Sequence, residues 1–225
     1  MKAYVIELIN VRKKYGLTEV LRDVNFKVEE GEFITIRGKS GTGKTTLLKV
    51  IGLLESPEKG EVKLFDKTTN WLKDDEKSNI RLHHIGFVFQ FFNLIPSLTI
   101  LENIELPLAL AGINKKERRE RAHQLLKYFS LTNLTQRFPE TLSGGERQRI
   151  AVIRALANSP RIILADEPSS SLDDENSELL MNLLVDINRE RKVTIVLTTT
   201  DLYEKMPSNG DYLLKEGQLR EMIAP

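Results

Sequence analysis

Hydrophobic and polar positions follow two different periods along this chain. Tyr4–Leu8, Val20–Val28 and Glu32–Arg37 are rich in β-branched residues with partial two-residue alternation, which predicts strands, and Glu30-Gly31 marks a turn between the last two. Thr46–Leu54 reads as an apolar helix, Pro57–Gly60 breaks the pattern, and Glu61–Phe65 and Ile85–Phe89 read as short strands. The character then changes. Thr99 precedes Glu102 by three positions, the spacing of a capping box, and Asn114 and Glu117 repeat it. Ala122, Leu125, Leu126 and Phe129 follow at helical spacing, so the chain from about Phe91 to about Ala157 predicts a mostly helical subdomain. Arg161–Asp166 and Val193–Thr198 are apolar strands separated by a helix over Glu175–Glu190, a pattern for a parallel sheet covered on both faces. Asp211–Leu219 resembles a closing hairpin around Glu216-Gly217.

Composition narrows the setting. The 225 residues suffice for one α/β domain, alone or with a small subdomain, and a 40% hydrophobic content supports a packed core. Lys and Arg (33) nearly balance Asp and Glu (32), leaving a net charge of +1 and no global attraction to nucleic acid, which is not expected as a partner. The mixed-sign runs Lys73–Lys77 and Lys115–Arg121 read as solvated helix faces or loops. Without cysteine there are no disulfides or thiolate metal sites, which fits a reducing cytoplasm. Met1–Glu7 lacks the form of a signal peptide, and no apolar run approaches the ~20 residues that span a bilayer. Any membrane pore must come from another chain.

Gly38-Lys39-Ser40-Gly41-Thr42-Gly43-Lys44-Thr45 fits the pattern G-x-x-x-x-G-K-[ST]. Its glycines let successive backbone N–H groups turn inward around phosphate oxygens, and the following helix, entered at Thr46, presents its positive end to the same anion. Lys44 is placed to reach the β- and γ-phosphates of a nucleotide, and the Thr45 hydroxyl to bind Mg²⁺. Average composition yields such a match in roughly one chain of this length in a hundred, and the strand before and helix after it tighten the assignment. Arg161–Asp166 is an apolar strand ending in Asp166-Glu167. In α/β proteins the C-terminal edge of such strands binds ligands, so Asp166 suits a water-mediated Mg²⁺ contact and Glu167 the polarisation of an attacking water. Leu142-Ser143-Gly144-Gly145-Glu146 opens another helix, and Ser143 with Glu146 is also a plain capping box.

Placed between the phosphate loop and the acidic pair, Leu142–Glu146 resembles the signature of ABC transporter ATPases. The resemblance runs from about Tyr4 to about Arg220. It implies a P-loop NTPase α/β core of mainly parallel sheet, with an N-terminal antiparallel β subdomain and an inserted helical subdomain at about 91–157, in one domain over 1–225. It also implies ATP and Mg²⁺ as ligands, and that Ser143, Gly144, Gly145 and Glu146 bind the γ-phosphate of ATP held by a second ATPase chain in a head-to-tail dimer. Tyr15 matches the residue that stacks on adenine, Gln90 the glutamine that touches Mg²⁺ and the attacking water, and Ser171-Leu172-Asp173 the loop that communicates across the dimer. Phe87–Gln90, Asn93–Pro96, Leu98-Thr99 and Leu101–Asn103 are similar to the lipoprotein-releasing and macrolide-export subfamily. The implied partners are membrane-spanning transporter subunits, and the implied location is the cytoplasmic face of the cell membrane.

Three positions depart from the family pattern, two of them mildly: Ser169, where threonine is usual, and Glu146, where glutamine is commoner. Thr200 occupies the place of the usual histidine, and the chain's histidines, His83, His84 and His123, lie in other segments. A hydroxyl can hydrogen-bond a γ-phosphate but carries no charge or imidazole proton. The site is therefore read as binding-competent with slowed hydrolysis. A nucleotide-gated signalling or scaffold subunit of a membrane complex remains the alternative. Chromosome and DNA-repair ATPases fit less well, because a compact segment joins Gln90 to Ser143 and no cysteine is present to bind zinc.

Overall fold

Two sheets carry the fold in the computed structural model, which describes residues 4–203 and 206–222. The first is antiparallel, ordered β2-β1-β4-β5, from β1 (Tyr4–Tyr15), β2 (Thr18–Glu29), β4 (Lys59–Leu64) and β5 (Lys67–Thr68). β1 extends well past the predicted Tyr4–Leu8, whereas β2 nearly matches the predicted Val20–Val28, because the pairing of β1 continues through the polar stretch to Tyr15↔Thr18 at the hairpin turn. The second sheet is ordered β10-β9-β3-β8-β7-β6, from β3 (Phe33–Arg37), β6 (Ile85–Val88), β7 (Ile162–Asp166), β8 (Thr194–Thr199), β9 (Gly210–Lys215) and β10 (Gln218–Glu221). All its pairings are parallel except the β9–β10 hairpin. The buried-type patterns of β3, β7 and β8 thus reflect burial on both faces.

Helix α1 (Lys44–Ile51) packs on β7, β1 and β2 and ties the two sheets into one core with Val5, Leu21, Ile36, Leu47, Ile51 and Leu164. It starts two residues before the predicted segment and ends three before it, where Gly52 caps it. Helix α2 (Asp74–His84) is an addition. No residue in it is buried, so it has no apolar stripe; only Asp74, Asp75 and Glu76 in its first turn and Arg81, His83 and His84 in its last betray it.

Helices α3 (Ile100–Leu110), α4 (Lys115–Tyr128) and α5 (Gly144–Leu156) fill the middle of the chain. Thr99 caps α3 through the reciprocal box with Glu102. Asn114 caps α4 by accepting from the Glu117 N–H, but its second contact runs from its own side-chain amide to the Glu117 carboxylate. Ile100, Ile104, Leu108, Ala122, Leu126, Ile150 and Ile153 form a separate apolar cluster. α5 serves two cores: Ile150 and Ile153 face that cluster, while Val152 and Leu156 pack with Val88, Ile163 and Leu180 under the parallel sheet. α6 (Asp174–Arg191) covers the same face through Leu180, Leu184 and Ile187. Among the described residues no helix is long and apolar enough to cross a membrane.

Candidate active site

The C-terminal edge of the parallel sheet gathers the chemistry. β3 ends at Arg37 and the chain turns through residues 38–43 into α1. Gly41 (φ 77°) and Gly43 (φ 102°) lie in the left-handed region, alternating with ordinary residues so that backbone N–H groups form a concave, anion-accepting nest. A Cβ at Gly43 would also meet Val20 Cγ1 at 2.7 Å, and one at Gly38 would meet the Leu214 carbonyl at 2.7 Å. These glycines are therefore demanded by the surrounding strands as well as by the cradle. Gly43 provides no side-chain cap, so the first N–H groups of α1 face the loop opening, and Lys39, Ser40 and Thr45 are exposed beside Thr42. Thr46 is buried and anchors the helix from below.

Lys44 is 3% exposed. Its ammonium donates to the carbonyls of Gly38 (2.7 Å) and Lys39 (3.2 Å) and lies 3.0 Å from Glu167 Oε1. A cation and the acid at the end of β7 are thus brought together from positions far apart in the chain. Asp166 and Thr45 line one small cleft with Leu48, Phe87, Phe89 and Leu164. One hydroxyl residue and one carboxylate residue beside the phosphate loop is a donor set that suits Mg²⁺, which keeps several waters and takes few protein ligands when phosphates supply the rest. Among the described residues no cluster of three or more His, Cys, Asp or Glu side chains could hold a metal by itself.

The other residues singled out from sequence lie at four separate places. Gln90 follows Phe89 just beyond β6, and its carbonyl accepts from the Ser171 hydroxyl at 3.3 Å. Asp173 caps α6, accepting from the backbone and side chain of Asn176, and these bonds hold its carboxyl below the usual range. Tyr15 ends β1 half-exposed, its hydroxyl bonded to Glu55 and its ring 5.4 Å from the Lys13 ammonium. Thr200 follows β8 and is exposed.

Ser143, exposed, caps α5 through the reciprocal box with Glu146, leaving Gly144 and Gly145 at the helix entrance. α5 packs on β6, whereas the phosphate loop leaves β3. β8 and β7 lie between those strands, three spacings or roughly 14 Å. The two helices that open on these entrances are thus carried by non-adjacent strands.

Residues 21–170 match a family model described as ABC transporter. The chain belongs to the ABC transporter family of ATPases. The ATP-binding protein MJ0796 of Methanocaldococcus jannaschii is 46% identical over 226 residues, covering 96% of this chain and 95% of that one. Its dimeric structure in a post-hydrolysis state bound to ADP and Pi matches with a TM-score of 0.88 at 44% identity, covering 96% of this chain and 97% of that chain. The lipoprotein-releasing system ATP-binding protein LolD of Saccharophagus degradans is 39% identical over 225 residues, 98% of this chain and 99% of that one. ABC transporter H family member 2 of Dictyostelium discoideum is 42% identical over 97% of this chain, which spans only 44% of that longer protein.

In this ABC ATPase, several residues that sequence reading passed over hold the site in place. Gln148 of α5, wholly buried, donates to the Phe89 carbonyl at 3.2 Å. Arg154 donates to the carbonyls of Asn93 (2.5 Å) and Phe92 (3.0 Å), and Arg147 lies over the Phe92 ring. Burial lowers the Arg154 pKa from its usual value, yet a guanidinium remains charged, so it makes strong bonds to those carbonyls. Phe92 and Asn93 both have positive φ, so the segment after Gln90 is a sharp turn clamped to the signature helix. The sequence groups Phe89, Phe91 and Phe92 as one aromatic cluster, but the structure separates them. Phe89 stacks on Phe87 and Phe92 is half-buried under Arg147, leaving Phe91 alone 73% exposed. Asn176 of α6 fills the space beside Gly145, where an added Cβ would fall 1.9 Å from its side-chain oxygen. Gly145 is thus required by packing within the chain, whatever else it binds.

Proposed function

We propose that the chain is the ATP-hydrolysing motor subunit of an ABC transporter, working through ATP-driven closure of a head-to-tail dimer. The observation that carries this reading is the meeting of Lys44 with Glu167 at the sheet edge, with the Ser143 entrance on a separate helix that packs on β6 rather than β3. One chain offers two phosphate-binding ends that it cannot close on itself; two chains arranged head to tail can.

ATP binding exchanges the Lys44–Glu167 ion pair for contacts from Lys44 to the β- and γ-phosphates, which frees Glu167. The backbone nest from Gly38 to Gly43 takes the β-phosphate, Tyr15 stacks on adenine, and Thr45, Asp166 and Gln90 are the residues that would hold Mg²⁺. That ion would supply charge neutralisation at the phosphate oxygens. Glu167 accepts the proton of the attacking water while ADP leaves, and Ser143, Gly144, Gly145 and Glu146 of the second chain bind the γ-phosphate from the far side. Asp173, at the start of α6, completes the dimer-facing loop.

Membrane-spanning subunits are the remaining partners, which places the chain peripherally on the cytoplasmic face of the membrane. LolD relatives are named for lipoprotein release, and their near full-length similarity supports the same class of motor. Phe91, exposed beside Gln90, is the apolar anchor best placed for such a contact. Phe91→Glu is expected to abolish co-purification with the membrane subunit while leaving fluorescent-ATP binding unchanged. Retained co-purification would move the contact elsewhere.

Thr200 predicts slow turnover. Thr200→His adds a donor, and when protonated a charge, where negative charge shifts in the transition state. One charge-assisted hydrogen bond of ~1.5–3 kcal/mol corresponds to roughly a ten- to hundredfold rise in rate. Single-turnover phosphate release at saturating Mg-ATP is the measurement. An unchanged rate, with normal folding and ATP binding, would favour a subunit that holds ATP for long periods as a nucleotide-gated signal.

A further inference from the structure

We infer that Thr198 is a positioning residue that aims both carboxylates of the active site. The inference rests on the reading of Asp166 as the metal-side acid and Glu167 as the base, and it adds a group to which neither sequence motif points. Thr198 lies on β8, in parallel register with Asp166 on β7. Its side chain is completely buried. Its hydroxyl donates to Asp166 Oδ1 at 2.7 Å, and the same oxygen accepts from the Glu167 backbone N–H at 3.1 Å. The Glu167 N–H also reaches the Thr198 carbonyl at 3.2 Å, so this turn is held twice by one residue.

The local backbone explains why such a hold is needed. Glu167 has φ 46°, a left-handed conformation that non-glycine residues adopt rarely and at a cost. Leaving β7 this way turns the chain so that the Glu167 carboxylate meets Lys44. A buried hydroxyl beneath the turn supplies an acceptor for the N–H that the turn exposes. At the same time its proton occupies one lone pair of Asp166 Oδ1 and fixes the rotation of that carboxylate. Asp166 lines a cleft together with Thr45, so a carboxylate fixed in this way is held next to the hydroxyl proposed to share its ion. Residues that orient a metal-binding carboxylate from behind usually matter almost as much as the ligand itself.

The hydroxyl is the part that does this, so replacement by the isosteric valine isolates it. Thr198→Val keeps the volume and β-branching of a buried strand residue. It also keeps the backbone carbonyl that accepts from Glu167, so the fold should persist with a melting temperature close to that of the unaltered chain. Binding of a fluorescent ATP analogue is followed as Mg²⁺ is titrated, and again in EDTA. Thr198→Val should raise the Mg²⁺ concentration at half-effect about tenfold while leaving affinity in EDTA unchanged. Thr198→Ser, which keeps the hydroxyl, should restore most of the Mg²⁺ response. Asp166→Asn serves as the reference. If it weakens the Mg²⁺ response and Thr198→Val does not, Thr198 has no positioning role although Asp166 keeps its assignment. If neither substitution shifts the response, both the role of Asp166 and that of Thr198 are overturned. Equal losses in Thr198→Val and Thr198→Ser would also overturn the inference, since packing rather than the hydroxyl would then be responsible.

Discussion

Lys44→Ala is expected to weaken ATP binding by at least ten- to a hundredfold. Lys44 is nearly inaccessible and is held by the Gly38 and Lys39 carbonyls and by Glu167, so its ammonium is pre-placed rather than recruited from solvent. Exchanging Glu167 for a phosphate group costs the protein one ion pair, and the net gain is smaller than the gross attraction. A surplus nevertheless follows because the triphosphate presents more negative charge and several oxygens, each charge-assisted bond contributing ~1.5–3 kcal/mol. Alanine also removes the donor to the Gly38 carbonyl, while the Lys39 carbonyl keeps that of Thr42, so a melting curve should accompany the titration. Equilibrium binding of a fluorescent ATP analogue is the measurement. Affinity unchanged in a folded variant would remove the phosphate loop from the account.

The second large effect concerns Glu167→Gln. The amide keeps the shape and retains one oxygen, which can still accept from Lys44, but it cannot take a proton from water. General-base contributions of about 10²- to 10⁴-fold set the expected loss in phosphate release. ATP affinity should hold or improve, because Lys44 no longer leaves a charged partner when it turns to the phosphates. A variant that turned over at the unaltered rate would show that another group removes the proton.

The parts of this site that lie within a few consecutive residues were readable from the sequence. The phosphate loop is written as glycine spacing, and the signature entrance as a three-residue capping interval. The strand carrying Asp166-Glu167 shows as an apolar run. These features are set by φ sign, helix capping and burial, all of which act locally. The supporting contacts were not readable, since they join residues that only the folded sheet brings together. Thr198 meets Asp166 across a strand pair, Asn176 meets Gly145 between helices, and Gln148 meets the Phe89 carbonyl from the far side of the middle segment. Each of these residues by itself looks like an ordinary polar position. α2 is hidden for the opposite reason: it buries none of its residues, so no apolar periodicity marks it, and its start makes only half a box, the Lys73 N–H donating to the Glu76 carboxylate, because a lysine ammonium cannot accept from a backbone N–H. The three phenylalanines near Gln90 had to be placed individually before Phe91 stood out as the exposed one.

On the proposed mechanism a complete site needs two chains. Light scattering on Glu167→Gln, with and without Mg-ATP, measures it most directly. A monomer is expected without nucleotide, and with Mg-ATP a dimer that retains two ATP molecules per dimer. Adding Ser143→Arg to the same chain should leave each monomer able to bind ATP but unable to dimerise, because the second anion clamp is blocked. ATP-loaded Glu167→Gln that stays monomeric at high concentration, or a doubly substituted chain that dimerises as readily as the single variant, would contradict it.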